Sequence, residues 1–231
     1  MLKVLLVRHA QCEMNLHITE RIGGRTNHSP LTELGEQQAR ALASHLRTAF
    51  HHDAKPAKDV RFFSSTAVRA VETAKAVMAA LEVEDGLVQS EQLLELEQGE
   101  FEGAVRRECF PPELIASFAA DPWGLAYNFA PPMGESQRQV EVRMLAFLQQ
   151  QVLPQLLPHQ QAVVVGHGMA FKCLLRGLLG SVPTMTRNIA LGNTSVTEIG
   201  FIPDKGSNAS SGEWHILRVN DRSHLPDDLR S

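Results

Sequence analysis

Apolar residues occur along this chain in two patterns, short runs and longer stretches with helical spacing. A short, nearly continuous apolar run is typical of a strand covered on both faces of a parallel sheet. Such runs occupy residues 2–7, 60–63 and 162–165. Apolar residues that recur every three or four positions predict helices. The helices cover residues 32–50, 67–81, 136–153 and 169–179, with Thr32 as the N-cap of the first.

Two further strands are predicted towards the carboxyl end, at residues 196–201 and 214–219. Turn-forming residues at 203–206 and a polar loop at 207–212 separate them, so we expect them to pair as a hairpin. Strands that alternate with helices indicate an α/β fold. We therefore predict a three-layer α/β/α sandwich with a mainly parallel central sheet that ends in this hairpin.

The domain organisation is predicted to be simple. The chain contains no internal repeat and no linker, so residues 1–231 are expected to form one domain. Two proline pairs, at 111–112 and 131–132, lie in a stretch that interrupts the alternation of strands and helices. We expect residues 104–133 to form a small cap insertion. The last dozen residues are polar, which predicts a frayed end.

Composition and charge narrow the class of partner. A net charge of −4 and a pI near 6.2 give no broad attraction to nucleic acid or to an anionic membrane, so neither is expected as a partner. The first apolar run is too short for a signal peptide or a membrane span. The three cysteines form no CxxC pair, which favours a reducing compartment. We expect a cytoplasmic protein, with an organellar location left open.

Chemically reactive side chains follow three of the predicted strands. Arg8 and His9 end the first strand, Arg69 lies in the turn after the second, and His167 follows the third. Because the carboxyl ends of parallel strands share one edge of a sheet, these residues are expected to meet there. Two arginines and two histidines suit a phosphate dianion, since they offer charged donors and a ring nitrogen that can attack.

Two other interpretations of these residues stay open at this point. A single histidine at a strand end is more often a structural residue than a functional one. A zinc site is the other alternative, although neither His9 nor His167 has a carboxylate or thiolate at an evident ligand spacing. We therefore predict no metal ligands.

A series of short motifs gives the chain a specific resemblance. The motifs are residues 6–15 (LVRHAQCEMN), 21–24 (RIGG), 30–35 (PLTELG), 64–74 (SSTAVRAVETA), 93–103 (LLELEQGEFEG), 134–136 (GES), 166–168 (GHG) and 193–196 (NTSV). Together and in this order they resemble the signatures of the histidine phosphatase (phosphoglycerate mutase-like) superfamily. The resemblance covers most of the chain and implies a phosphomonoesterase that needs neither metal nor cofactor.

The resemblance also implies roles for single residues. His9 would be the nucleophile that accepts the phosphoryl group on a ring nitrogen. Glu95 would be the general acid for the leaving oxygen and then the base that activates water. Without the resemblance, Glu95 would be taken for a solvated carboxylate at a helix start. The residues implied to bind the phosphate or the rest of the substrate are Arg8, Arg69, His167, Asn15, Arg21, Gly23 and Gly24.

The sequence departs from the family pattern in the substrate loop. Ala10 stands where the family usually has glycine, and Gly23 stands where glutamine is common. The loop at residues 25–29 is one residue longer than usual. These differences leave the phosphate-binding residues intact but put the substrate contacts in question.

Three functions compete, and a phosphatase acting on a small phosphorylated metabolite is the first. The second is a phosphoglycerate mutase, which shares the pocket, but the stretch typical of glycolytic mutases is not found in residues 105–133. The third is a noncatalytic phospholigand-binding or regulatory protein, which would be expected to have lost His9, Glu95 or His167. A homodimer is left open.

Substrate selection is expected to come from the cap. Its aromatic residues are Phe110, Phe118, Trp123, Tyr127 and Phe129. At least half of these are expected to form the cap's own small core. The arginines that could recognise a second anionic group are Arg25, Arg106 and Arg107.

Overall fold

The computed structural model describes residues 1–52, 59–157, 160–204 and 211–230. Within this part of the chain, six strands form one sheet in the order β3-β2-β4-β1-β5-β6. The strands are β1 (Leu2–Arg8), β2 (Val60–Ser65), β3 (Leu87–Ser90), β4 (Gln161–Gly166), β5 (Val196–Pro203) and β6 (Gly212–Asp221). The first four are mutually parallel, and the β5–β6 hairpin is added antiparallel to β1. The predicted α/β fold with a mainly parallel sheet is confirmed.

Helices cover both faces of the sheet. They are α1 (Glu33–His52), α2 (Val68–Ala80), α3 (Arg106–Cys109), α4 (Pro112–Ala120), α5 (Gln137–Phe147), α6 (Gly168–Leu179) and α7 (Met185–Asn188). One apolar core lies between the sheet and helices α1 and α2, and the other lies between the sheet and helices α5 and α6. The strands alternate between these cores, since Leu5 and Val7 face the first whereas Val4 and Leu6 face the second. No helix in the described ranges is long and apolar enough to cross a membrane.

The main elements lie close to their predicted positions. Thr32 caps α1, because its hydroxyl oxygen accepts the Gly35 N–H at 3.0 Å. Ser136 caps α5 in the same way, and after Phe147 the chain continues through a wider turn and a 3₁₀ turn to Gln155, close to the predicted end of this helix. Strand β3 was not predicted, since its four residues form a short edge strand with little burial. Most of the loop predicted at 203–212 lies outside the described residues.

The carboxyl-terminal segment is ordered against the body of the protein, so the predicted frayed end is wrong. Leu225 is 1% exposed and supplies an apolar anchor within an otherwise polar stretch. A short helical turn follows at Asp227–Leu229, and the Gln38 side chain of α1 donates to the Leu229 carbonyl. One buried leucine and this hydrogen bond outweigh the polar composition of the segment.

Residues 104–133 lie beside the carboxyl ends of the parallel strands. Helices α3 and α4 fall in this segment, followed by a single wide turn at Pro122–Ala126. Three of its aromatic rings pack in a row, with Phe110 and Phe118 each against Phe129. The segment and the strand ends together line one cavity of about 590 Å³.

Candidate active site

The cavity is centred on His9, the first residue after β1. His9 is 2% exposed, and its ring nitrogen Nδ1 lies 2.7 Å from the Ala10 carbonyl oxygen. A carbonyl only accepts, so Nδ1 carries the proton and donates it. Burial and the nearby charges of Arg69 and Arg8 hold the pKa of His9 well below its usual value. His9 is therefore neutral, and Nε2 keeps its lone pair for attack.

The backbone of His9 is fixed by the segment before β5. The Asn193 side chain donates to the His9 carbonyl at 2.9 Å, and the Thr194 N–H donates to the Arg8 carbonyl at 3.0 Å. The N–H of the next residue, Ala10, donates to the buried Thr73 hydroxyl on α2. Asn193 and Thr73 belong to motifs in the sequence, but no role was predicted for them, because their contacts span the sheet.

Two guanidinium groups beside His9 have an unused donor. Arg8 donates from Nη1 to the Leu191 carbonyl, and Arg69 donates from Nη1 and Nη2 to the carbonyls of Thr26 and Gly24. In the described part of the chain, the Nε of Arg8 and the Nε of Arg69 are buried and have no hydrogen-bond partner. A buried donor without a partner costs stability, so this pair of N–H groups suits an anionic ligand.

His167 is buried at the end of β4, with its ring centroid 5.1 Å from that of His9. Its Nδ1 lies 3.2 Å from Nη2 of Arg69, and its Nε2 lies 2.7 Å from the Ser65 hydroxyl. Burial and Arg69 hold the pKa of His167 well below its usual value, so the ring is neutral. Since arginine only donates, Nδ1 accepts and Nε2 donates to Ser65. Ser65 orients His167, a role that was not predicted from its position at a strand end.

Glu95 reaches the same cavity from a loop after β3. Its carboxylate oxygens accept the N–H groups of Met169 and Ala170, at 3.0 and 2.8 Å, in the first turn of α6. Its backbone carbonyl accepts from the side chains of Arg25 and Arg143. A carboxylate is favoured at a helix N-terminus, because the free N–H groups there carry partial positive charge. Glu95 is therefore a fixed part of the cavity wall rather than a solvated carboxylate.

The remaining predicted ligand residues divide into those inside the cavity and one outside it. Asn15, Gly23 and Gly24 line the cavity. Asn15 uses its side-chain oxygen to accept the Cys12 N–H, which leaves its amide nitrogen as a donor. Arg21 does not line the cavity, contrary to its predicted place in the substrate site. Its guanidinium is held on the outer surface by the Gly103 carbonyl at 2.7 Å.

The cap aromatics divide in a similar way. Phe110, Phe118 and Phe129 line the cavity. Trp123 and Tyr127 instead pack against the Arg176 guanidinium on α6, with ring centroids 5.5 and 4.7 Å from its central carbon. These two residues fasten the cap to the body of the protein.

The arginines considered for a second anion also have different positions. Arg106 lines the cavity, whereas Arg107 is exposed on the outer side of the cap. Arg25 is engaged in a network with Glu97, Glu135 and, through Glu135, Arg143. Arg25 therefore supports the wall that holds Glu95.

Known proteins resemble this chain over nearly its whole length. A family model described as histidine phosphatase superfamily, branch 1, matches residues 4–220. The chain belongs to the histidine phosphatase superfamily. It is 30% identical to a probable phosphoglycerate mutase GpmB of Proteus mirabilis, over 98% of this chain and 96% of that protein. The chain is therefore an enzyme of this superfamily.

Solved structures in the superfamily share the fold over nearly the whole chain. A phosphoserine phosphatase of Entamoeba histolytica, solved with 3-phosphoglyceric acid, superposes with a TM-score of 0.76 at 25% identity, over 98% of this chain and 100% of the other. Bacillus stearothermophilus YhfR superposes with a TM-score of 0.75 at 26% identity, over 97% and 99% of the two chains. The Proteus mirabilis relative is thus named as a mutase, and the solved structures include a phosphatase.

Proposed function

We propose that this enzyme is a metal-independent phosphatase that hydrolyses a small-molecule phosphate monoester through a phosphohistidine on His9. The observation that carries the proposal is the neutral His9, with Nδ1 donating to the Ala10 carbonyl, beside the Nε–H donors of Arg8 and Arg69, which find no partner among the residues that the structure describes. This arrangement leaves Nε2 free to attack a phosphorus atom whose oxygens the arginines hold.

The reaction runs in two steps. In the first, His9 Nε2 forms a bond to phosphorus while the bond to the ester oxygen breaks, and Glu95 supplies the proton that the leaving alkoxide takes. In the second, Glu95 removes a proton from water as the water oxygen attacks phosphorus, and the N–P bond breaks. Inorganic phosphate leaves, and His9 returns to its neutral form.

The nucleophile is tested by trapping the intermediate. Rapid quenching of the enzyme with a labelled phosphate monoester is expected to give acid-labile, base-stable phosphate on His9. His9→Ala is expected to abolish both the label and turnover. Label on Ser64 or Ser65, or full turnover by the His9 variant, would contradict the mechanism.

Charge neutralisation by arginine supports a reaction without metal. Among the described residues, no three His, Cys, Asp or Glu side chains come together as a metal site would require. Phosphate release is therefore expected to be unchanged in excess EDTA. Loss of activity on chelation, with recovery on adding zinc or magnesium, would overturn this part of the proposal.

Phosphoglycerate mutase activity is the second candidate, and the name of the Proteus mirabilis relative favours it. A mutase must return the phosphoryl group from the histidine to the bound product before water attacks. We expect 3-phosphoglycerate with a bisphosphoglycerate primer to give phosphate release and no rapid isomerisation. Phosphorus NMR monitors this reaction, and efficient interconversion of 2- and 3-phosphoglycerate would rank the mutase above the phosphatase.

A further inference from the structure

The cavity carries more positive charge than one phosphate group needs. Among the described residues its lining includes five cationic side chains and two carboxylates. The cations are Arg8, Arg69, Arg106, Lys172 and Arg187. Both carboxylates are already engaged, Glu95 with the first turn of α6 and Glu135 with Arg25 and Arg143. A phosphate dianion between Arg8 and Arg69 would leave the other cations without a counter-charge.

Lys172 adds a further cation to the cavity lining. It lies one helical turn after Gly168, on the same face of α6. Gly168 marks the phosphate end of this face, since a Cβ atom placed on it would lie 3.4 Å from Nε of Arg8. Within the described ranges the Lys172 side chain is half-buried and no carboxylate lies within ion-pair distance of its ammonium, although the charge of Glu95 acts on it. Burial and the charge of Arg8 lower the pKa of Lys172.

Arg187 is another cation of the cavity lining. It is carried by α7, which packs against α6, and its guanidinium lies over the Phe118 ring at 5.4 Å from the centroid. The structure shows no carboxylate paired with Arg187 in the part of the chain that it describes. The aromatic contact positions the guanidinium but does not neutralise it.

Another part of the cavity lining is aromatic. Phe110, Phe118 and Phe129 form it, and their rings contact one another at centroid distances of 5.1 and 6.1 Å. A ligand in this cavity can contact both cations and aromatic carbon, because Arg187 itself lies over the Phe118 ring. A half-buried ammonium without a partner is unfavourable, so the ligand itself is the group that compensates it.

We propose that Lys172 and Arg187 form a subsite for a second anionic group of the substrate. The preferred substrates are then short phosphate monoesters with a carboxylate or a second phosphate on the same carbon skeleton. This inference rests on the phosphatase activity proposed above. It adds two specificity-determining residues that contact neither the transferred phosphate nor the nucleophile.

Matched substrates test this subsite. The substrates are 3-phosphoglycerate, glycerol 1-phosphate of the same handedness, and glycerol 1,3-bisphosphate. They differ only at one end of the carbon chain, which carries a carboxylate, a hydroxymethyl group or a phosphorylated hydroxymethyl group. The wild-type kcat/KM for phosphate release is expected to favour the two anionic substrates by about 10- to 100-fold, the range for hydrogen bonds to charged groups. Preference for only one of them identifies the second anion.

The variants are Lys172→Met and Arg187→Gln, with Lys75→Met on the exposed face of α2 as the control. Each cavity variant is expected to reduce the preference for an anionic substrate about 10-fold and to leave glycerol 1-phosphate nearly unchanged. Arg187→Lys, which keeps the charge, is expected to retain most of the preference. Thermal unfolding of every variant shows whether the fold survives.

Two results would overturn the subsite. An equal loss on all three substrates would mean that Lys172 and Arg187 serve the transferred phosphate, and an unchanged preference would mean that they bind nothing. Phenyl phosphate has no second anion, so its ability to phosphorylate His9 tests the proposed function separately. If phenyl phosphate labels His9 while wild type shows no preference for anions, the subsite fails and the phosphatase proposal stands.

Discussion

Ser65 offers a sharp test of how the site is held together. Its hydroxyl accepts the Nε2 proton of His167 at 2.7 Å, which leaves Nδ1 to accept from Arg69. Both ring nitrogens of His167 thus have a hydrogen-bond partner in this structure. To hold a phosphate oxygen, His167 must carry its proton on Nδ1 instead, and Ser65 can then donate to Nε2, because a hydroxyl both donates and accepts. Ser65 permits either tautomer.

Replacing Ser65 by alanine removes that partner from a fully buried ring. A buried polar group left without its partner costs about 1–3 kcal/mol. If this cost falls on the phosphorylation step, kcat/KM is expected to decrease by about 5- to 150-fold. Ser64→Ala is the matched control, since Ser64 is equally buried on the same strand but donates only to the Ser65 carbonyl. It is expected to change stability and leave kcat/KM within about threefold.

Two measurements check the reasoning. Single-turnover kinetics give the rate of His9 phosphorylation for both serine variants, and nitrogen NMR of the His167 ring reports which nitrogen carries the proton. In wild type Nε2 should be protonated, and the phosphate-bound form should show a shift towards Nδ1. Equal rates for Ser65→Ala and Ser64→Ala, with unchanged ring-nitrogen signals, would refute a role for Ser65 in orienting His167.

Three further predictions concern the nucleophile, the substrate loop and the chain end. Because burial and two arginines lower the pKa of His9, it gains its proton only at lower pH than a free histidine, so kcat/KM corrected for substrate ionisation should show no break near pH 6.5. A Cβ on Gly24 would lie 2.2 Å from Oε1 of Glu102, and this oxygen is held in place because it accepts the Arg25 N–H, so Gly24→Ala should lower kcat/KM about 10-fold or more. Gly23→Ala meets only the apolar side chains of Ile18 and Met14, which can move aside, and should lower it less. Leu225→Ala should lower the free energy of unfolding, measured in denaturant, by about 2–5 kcal/mol, because Leu225 is buried. Leu217 is 44% exposed, so Leu217→Ala should lower this free energy far less. Equal effects of the two substitutions would mean that the chain end is frayed.

The sequence alone determined the layered α/β fold and the edge of the sheet at which the reactive residues meet. Both follow from local patterns, because a buried parallel strand needs an apolar run and its carboxyl end places the next residue at the rim. His9 and His167 could therefore be brought together without coordinates. The resemblance to the family added Glu95, which no local pattern distinguishes from a solvated carboxylate.

Only the tertiary structure decided which atoms are available to a ligand. The tautomer of His167 depends on Arg69, and the docking of Glu95 on α6 joins residues more than 70 positions apart. Arg21 carries the same charge as the arginines that line the cavity, yet the Gly103 carbonyl holds it outside. Such contacts form between elements that are distant in the chain. The direction and burial of a side chain decide which partner it finds there, and the residue type alone does not.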